Sequence, residues 1–133
     1  MATLPTTTIQ YSDFDFRFIA HPQTGRLVIR KNADAITQAV KLLIMTNQNE
    51  RPFRPFVGST VRQHLFEQFD SFVASEIKTS ILQALSNIEP RVIVIDVQVE
   101  PDPDNTTMDV TIIYRPINAT KPVEANFTLE RLR

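Results

Sequence analysis

The last third of the chain alternates apolar and polar residues with a period of two, which is typical of strands that bury one face. Three runs show this alternation, and turn-forming residues separate them. Their apolar positions are Ile93, Ile95, Val97 and Val99, then Met108, Val110, Ile112 and Tyr114, then Val123, Ala125, Phe127 and Leu129. Consecutive strands with short turns predict an antiparallel three-stranded meander that is apolar on one face.

The region before these strands has apolar residues at three- and four-residue steps, which predicts helices. The first helix is expected after Asn32 or Asp34, because either side chain can accept a hydrogen bond from a first-turn N–H. It should end at the polar run 46–49. Its inward-facing residues are expected to be Ile36, Ala39, Val40 and Leu43.

Two more helices are expected between the first helix and the strands. A short helix can start after Ser59 or Thr60, either of which could cap it. A longer helix should end before Pro90, because proline cannot continue a helix and disfavours helical geometry in the preceding residue. Its apolar stripe consists of Ala74, Ile77, Ile81, Ala84, Leu85 and Ile88.

The N-terminal part of the chain predicts a β-hairpin. Phe14, Phe16 and Phe18 alternate with polar residues as in a half-buried strand, residues 21–25 supply a turn, and residues 27–29 form a second strand. Residues 1–10 are Thr-rich and are expected to form a flexible arm, and residues 11–133 a single domain. The predicted fold class is therefore α+β, with helices packed on one face of the C-terminal meander and a hairpin before them.

The composition narrows the classes of function. Fourteen basic and fifteen acidic side chains leave a formal charge of −1, which argues against binding nucleic acid through its phosphates. The absence of cysteine excludes disulfides, thiolate metal sites and cysteine nucleophiles. No run approaches the ~20 apolar residues of a membrane span, so neither nucleic acid nor a membrane is expected as a partner.

The sequence contains no convincing arrangement for catalysis or for a cofactor. His21 and His64 are the two histidines, and neither has a second metal ligand of the usual spacing beside it. Asp102, Asp104 and Asn105 resemble a calcium loop only superficially, since they lack its glycine and its bidentate glutamate. Two glycines in the whole chain do not make a phosphate-binding loop. We therefore expect no catalytic residue, no metal and no cofactor.

A glycosidase is the alternative function that the residues leave open. That reaction needs two carboxyl groups in unlike environments on either side of a sugar. Glu50, Glu67, Asp70 and Glu89 lie in the middle of the chain and could converge. Against this reading, the chain has no Trp and only two Tyr to support a sugar.

Two short motifs carry a resemblance to a known family. The first is Arg51-Pro52-Phe53-x-Pro55, which continues through Gly58-Ser59 to Leu65-Phe66-Glu67, and the second is Glu89-Pro90-Arg91. In this order and spacing they resemble the small baseplate wedge family of contractile-tailed phages, sometimes labelled lysozyme-like, with a related subunit in type VI secretion baseplates. The chain departs from the family pattern at Val57, where an aromatic residue usually precedes the loop glycine.

The resemblance implies a structural subunit of the virion tail baseplate that is assembled in the host cytoplasm. It implies partners, namely the tail sheath protein, other baseplate wedge proteins and the tail tube, in a sixfold hetero-oligomeric assembly. The subunit would start sheath polymerisation by offering a sheet edge for strand addition. A general adaptor unrelated to tails is a third possibility. The residues expected at partner interfaces are Glu89, Pro90, Arg91, Arg51, Phe53, Phe127 and Leu129.

Each of the two motifs also has a purely structural interpretation. Glu89 and Arg91 can pair to hold the junction between helix and strand, and this is as well supported as a contact with a partner. In the first motif, Phe53 and Phe56 are expected to pack the loop onto the helices, which would leave Arg51 and Arg54 solvated.

Overall fold

The computed structural model describes residues 10–68, 70–102, 104 and 106–131. Two strands come first, β1 (Ser12–Phe14) and β2 (Ile29–Lys31), followed by three helices, α1 (Ala33–Met45), α2 (Val61–His64) and α3 (Ser71–Ile88). Three strands complete the chain, β3 (Val92–Asp102), β4 (Thr107–Pro116) and β5 (Val123–Glu130). The predicted arm at residues 1–10 lies outside the described residues except for Gln10.

The C-terminal strands form the predicted antiparallel meander in the order β3-β4-β5, and β1 pairs antiparallel with β2. The apolar positions of β4 are almost completely buried and lie in one cluster with the apolar stripes of α1 and α3. Tyr114 at the end of β4 bonds through its hydroxyl to that of Thr37 on α1, 2.6 Å away. The fold class is therefore α+β, as predicted from the two periodicities.

The helices begin and end where the sequence indicates, although the caps differ. Asp70 accepts a hydrogen bond from the N–H of Val73 at 2.9 Å and so caps α3. The side chain of Asn32 does not cap α1; its oxygen accepts from the N–H groups of Gln10 and Tyr11 and holds the preceding chain instead. None of the described helices combines the length and apolar character needed to cross a membrane.

A β-bulge in β3 overturns part of the predicted sheet face. The register of β3 with β4 shifts between Val94 and Asp96, so Ile95 is an extra residue with no partner on β4. One extra residue moves the alternation to the other face. Val97 is consequently buried, whereas Ile93 and Ile95, which were expected to face the core, are 42% and 57% exposed.

The N-terminal hairpin is present, but its faces are reversed. β1 ends at Phe14, and the side chains of Phe14, Phe16 and Phe18 are 56–70% exposed, so the expectation that they lie on a half-buried face is wrong. The residue that is buried is Asp15, whose oxygens accept bonds from the Nε atoms of Arg17 at 3.4 Å and Arg30 at 2.7 Å. A paired carboxylate thus occupies the inner side of the hairpin, and aromatic rings occupy its outer side.

The buried carboxylate should make the hairpin sensitive to acid. The backbone N–H of Arg17 and the guanidinium of Arg30 lower the pKa of Asp15 from 3.8 to about 2. A lowered pKa in the folded state stabilises the fold fully above the unfolded-state pKa, and this contribution disappears as the pH falls through the folded-state pKa. We expect the urea midpoint to decrease between about pH 4 and pH 2, and to decrease less steeply in Asp15→Asn. Equal slopes in the two proteins would contradict this role.

Candidate interaction surfaces

Glu89 and Arg91 form a bidentate ion pair at the junction between α3 and β3. The Nε of Arg91 donates to one carboxylate oxygen of Glu89 at 2.6 Å, and Nη2 donates to the other at 2.7 Å. Glu89 is buried, whereas the side chain of Arg91 is 35% exposed. The carboxylate raises the pKa of Arg91, mainly through these hydrogen bonds. Two parallel bonds of this kind fix both the distance and the orientation of the partners.

Arg91 also connects the junction to the beginning of the chain and to β4. Its guanidinium lies over the ring of Tyr11 at 5.4 Å from the centroid, and its carbonyl accepts from the N–H of Ile117 at 2.9 Å. The hydroxyl of Tyr11 in turn accepts from the amide of Asn118 at 3.2 Å. Arg91 therefore contacts three parts of the chain, through its ion pair with Glu89, its cation–π contact with Tyr11 and its backbone bond to Ile117. Contact of Glu89, Pro90 and Arg91 with a partner stays a prediction.

Substitution of Arg91 by alanine should destabilise the domain. It leaves the buried carboxylate of Glu89 without its bidentate partner, and breaking a buried pair from one side costs roughly 3–5 kcal/mol. Because Arg91 is partly solvated, we expect a smaller loss of about 2–3 kcal/mol in the free energy of unfolding. Urea denaturation measures it. The double variant Glu89→Gln with Arg91→Ala should recover part of the loss, and additive losses would contradict the coupling.

The loop between α1 and α2 presents its aromatic side chains to solvent. Phe53 is fully exposed and Phe56 is 70% exposed, so the expectation that they pack onto the helices is wrong. Arg51 and Arg54 are exposed on either side of Phe53, as expected. The backbone of Phe53 has φ 64°, in the left-handed region that residues with a side chain rarely adopt. Strained backbone of this kind persists only where neighbouring structure holds it.

Hydrogen bonds hold the loop in this shape. The N–H of Asn49 donates to the carbonyl of Pro55 at 2.8 Å, and the N–H of Arg54 donates to the carbonyl of Arg51 at 3.2 Å. Val57 then enters the core, so the chain is anchored directly after the exposed aromatic residues. The departure from the family pattern at Val57 thereby has a structural account, since an aliphatic side chain fills the buried position before the glycine.

The strand β5 is an edge of the C-terminal sheet, because within the described residues it pairs with β4 alone. Just beyond the ends of the two strands, the N–H of Arg131 donates to the carbonyl of Thr106 at 3.5 Å. Hydrogen-bonded and non-bonded residue pairs alternate along an antiparallel ladder. Because Arg131 bonds to its partner Thr106, every second residue before it, namely the odd-numbered residues of β5, also bonds to β4. The even-numbered ones, which direct N–H and C=O outward, are Glu124, Asn126, Thr128 and Glu130.

The side chains of the two β5 residues expected at a partner interface face the interior, and their contact with a partner stays a prediction. Leu129 is buried in the core, and Phe127 is half-buried with the ammonium of Lys41 5.8 Å from its ring centroid. Both are odd-numbered, so their backbone groups bond to β4. The backbone groups that point away from β4 belong to Asn126 and its even-numbered neighbours, which were not among the residues expected at a partner interface. The signal was present, since these are the polar residues of the same alternation.

The four carboxyl groups considered for a glycosidase each have a local partner in the structure. Glu50 accepts a hydrogen bond from the N–H of Asn47 at 2.8 Å, and Asp70 caps α3. Glu67 lies 3.3 Å from the imidazole of His64, and Glu89 pairs with its neighbouring arginine. These contacts account for the carboxylates by helix capping, loop closure and ion pairing.

His64, Glu67 and Glu76 form a cluster that their separation in the sequence had concealed. The Nδ1 atom of His64 lies 3.3 Å from an oxygen of Glu67 and 3.2 Å from an oxygen of Glu76. Imidazole and carboxylate are zinc ligands, and this is the group in the described part of the chain that could hold a metal ion. The imidazole of His64 hydrogen-bonds to Glu67, and its contact with Glu76 joins α2 to α3, which is a sufficient role for the cluster.

The fold and these surfaces define a small α+β protein with aromatic side chains on its outside. The chain belongs to the family of the baseplate wedge protein gp25, whose family model matches residues 30–120. The baseplate wedge protein gp25 of Enterobacteria phage T4 is 32% identical over 82 residues, which span 62% of this chain and 62% of that protein. The predicted family is thus confirmed, and membership makes the chain a structural component of a tail baseplate.

Solved structures share the fold at low sequence identity. A putative tail lysozyme from Geobacter sulfurreducens aligns with a TM-score of 0.67 and 19% identity, over 74% of this chain and 89% of that chain. A chain of the anti-feeding prophage baseplate aligns with a TM-score of 0.61 and 21% identity, over 89% of this chain and 83% of that chain. A chain of the postcontracted pyocin R2 baseplate aligns with a TM-score of 0.59 and 19% identity, over 80% of this chain and 98% of that chain. At these identities the similarity shows the fold alone.

Proposed function

We propose that this chain connects the baseplate to the tail sheath and starts sheath polymerisation by strand addition at the edge of β5. The observation that carries the proposal is the set of outward N–H and C=O groups between Glu124 and Glu130. An added strand would bond to these groups in the manner of β-augmentation. The partners we propose are the tail sheath protein, other wedge proteins and the tail tube, in a sixfold assembly.

The regularity of β5 supports its choice over the opposite edge. β5 keeps one unbroken register with β4 over eight residues and contains no proline. β3, the other edge, carries the bulge at Ile95, and Pro101 has no N–H to offer. Bulges and prolines are the features by which edge strands avoid further pairing. Added strands therefore find a continuous template on β5.

The loop with Phe53 suits a contact with a neighbouring baseplate subunit. A fully exposed phenyl ring held by a hydrogen-bonded loop loses little conformational entropy when it enters a partner's pocket. Arg51 and Arg54 beside it can bind carboxylates around such a pocket. Glu89, Pro90 and Arg91 would act less directly, by holding the junction from which the sheet begins.

We further propose that the chain has no enzymatic role. Of the carboxyl groups that a glycosidase would use, Asp70 caps α3, Glu67 hydrogen-bonds to His64 and Glu89 is paired with its neighbouring arginine. Turnover of peptidoglycan by the purified chain, lost on substitution of one of these residues, would refute this. The word lysozyme in the name of the Geobacter sulfurreducens protein describes that protein and assigns no activity to this chain.

Electron microscopy of particles assembled with and without the chain tests the function. We expect baseplates and tubes to form without a sheath when the chain is missing, and complementation in trans to restore sheathed tails. Normally sheathed tails in its absence would refute the initiator role. Absence of baseplates altogether would show that the chain is needed earlier than proposed.

Replacement of Phe53 by serine should separate docking from folding. Because the ring makes no buried contact, the midpoint of urea unfolding should stay nearly unchanged. Loss of a central aromatic anchor typically costs about 2 kcal/mol or more in binding, which is roughly a thirtyfold weaker affinity. We therefore expect fewer copies of the variant in purified baseplates. Phe72→Ser, at a ring on α3 that is 66% exposed, is the control and should incorporate normally.

A further inference from the structure

The N-terminal hairpin carries a second surface, which lies almost entirely outside the residues matched by the family model and plays no part in the proposed strand addition. The family model begins at residue 30, so almost all of the hairpin precedes it. The large apolar side chains of this segment are exposed by 43–70%, and they are Phe14, Phe16, Phe18, Ile19, Leu27 and Ile29. Phe14 and Ile29 are direct cross-strand partners and therefore share one face.

Hydrogen bonds and ion pairs attach the hairpin to α1 and close its inner side despite this exposure. Gln38 of α1 donates to the carbonyl of Phe14 at 2.6 Å and accepts from the N–H of Phe16 at 3.0 Å. On the inner side of the hairpin, the buried carboxylate of Asp15 binds Arg17 and Arg30. The segment is thus tied to α1 with its rings pointing away from the core, and the apolar surface exists before any partner arrives.

The exposed area approaches that of a protein interface. At roughly 200 Å² per ring, the three phenylalanines alone leave about 350–400 Å² uncovered. The aliphatic side chains add to it, and one partner typically contributes about 800 Å² to a stable interface. Apolar patches above a few hundred Å² on soluble proteins mark interaction sites.

Positive charge surrounds this apolar surface. Residues 10–31 carry four cations and two carboxylates, a balance of +2 in a chain whose total is −1. A cleft of about 450 Å³ beside these side chains is lined by three cations, Arg17, Arg30 and Lys31, and by two carboxylates, Asp15 and Asp34, a balance of +1. Asp15 is already paired with two of these cations. The surface therefore favours an occupant that brings carboxylates next to apolar side chains.

We infer that the hairpin docks an acidic, apolar segment of a different protein subunit in the baseplate. Residues 1–9 of the same chain do not fit this description, because they contain no acidic side chain. Pairing with the hairpin of a second copy would bring two positive surfaces together. The inference needs only that the chain sits in a baseplate, so it stands or fails separately from strand addition at β5.

Photo-cross-linking in assembled baseplates tests the inference. Benzoylphenylalanine replaces Phe16 in the full chain and, as the matched control, Phe72 on α3, whose ring is 66% exposed. We expect the probe at position 16 to attach to another baseplate protein within a few residues of aspartate or glutamate, at least fivefold more than the control. Attachment to residues 1–9, to a second copy, or at the control level would overturn the inference.

Charge variants add a second and independent readout. Arg26→Glu with Lys31→Glu reverses two exposed cations that are not paired with Asp15, and we expect the cross-link yield at position 16 to fall at least fivefold. The neutral pair Arg26→Gln with Lys31→Gln should give an intermediate yield. A yield unaffected by charge would overturn the acidic character of the partner. Sedimentation of the purified chain with vesicles of 30% phosphatidylserine, lost in Phe16→Ser, would reassign the surface to a membrane.

Discussion

Replacement of Asn126 by proline should leave the domain folded and abolish most sheath assembly. The N–H of Asn126 points away from β4, so proline removes no bond of the existing ladder and is compatible with an edge strand. It removes one donor for an added strand, worth about 0.5–1.5 kcal/mol, and its ring obstructs the approach. If six copies act together, a roughly threefold to tenfold loss at each site multiplies around the ring.

The measurement is the fraction of sheathed particles in negative-stain images. We expect a decrease of at least tenfold for Asn126→Pro, with baseplates still formed. Asn126→Ala keeps the N–H and removes the same exposed side chain, so it should assemble like the natural chain. Normal sheaths on particles that contain Asn126→Pro would refute β5 as the receiving edge, and would direct attention to β3.

Replacement of Gly58 by alanine should be the most destabilising of the changes considered. A Cβ atom at this position would lie 2.7 Å from the carbonyl carbon and oxygen of Asn47 and from the carbonyl oxygen of Thr46, and φ is +135°. These are backbone atoms at the end of α1, which Ser59 also holds through its N–H to Thr46 and its hydroxyl to Ile44. Strain and overpacking together predict a loss of roughly 3–5 kcal/mol.

Gly25 provides the matched control, because its φ is also positive, at +66°, but a Cβ there would meet nothing within 4 Å. Gly25→Ala should cost only the left-handed conformation itself, about 1–2 kcal/mol. Urea denaturation of both variants separates clash from strain. Equal losses would show that Gly58 serves only its backbone angle and that the loop does not depend on close contact with α1.

Much of the fold could be predicted because most elements bury one continuous face. The stripe of α3 and the alternation of β4 and β5 each match one period along their whole length, so packing leaves a single solution. The start of β3 is different, since Val92 to Ile95 are all apolar. Either parity could then face the core, and the bulge at Ile95 depends on pairing with β4, which periodicity does not contain.

The exposed surfaces proposed for interaction were harder to predict because their shape depends on contacts distant in the sequence. The burial of Asp15 requires Arg30, fifteen residues later, and the clamp from Gln38 on α1. Alternation alone therefore assigned the wrong face to Phe14 and Phe16. The pairing of Glu89 with Arg91 was foreseeable, since the two charges flank the proline that ends a helix, and it was one of two interpretations.

The bulge in β3 makes the two edges of the C-terminal sheet unequal in their capacity to pair with further strands. Copies of a sheet with two regular free edges can pair edge to edge and form an open fibre that grows at both ends. Here one edge is regular and the other is interrupted at Ile95. If β5 receives added strands as proposed, the bulge hinders pairing at the opposite edge, so an array started on this domain would grow from one edge and acquire a direction.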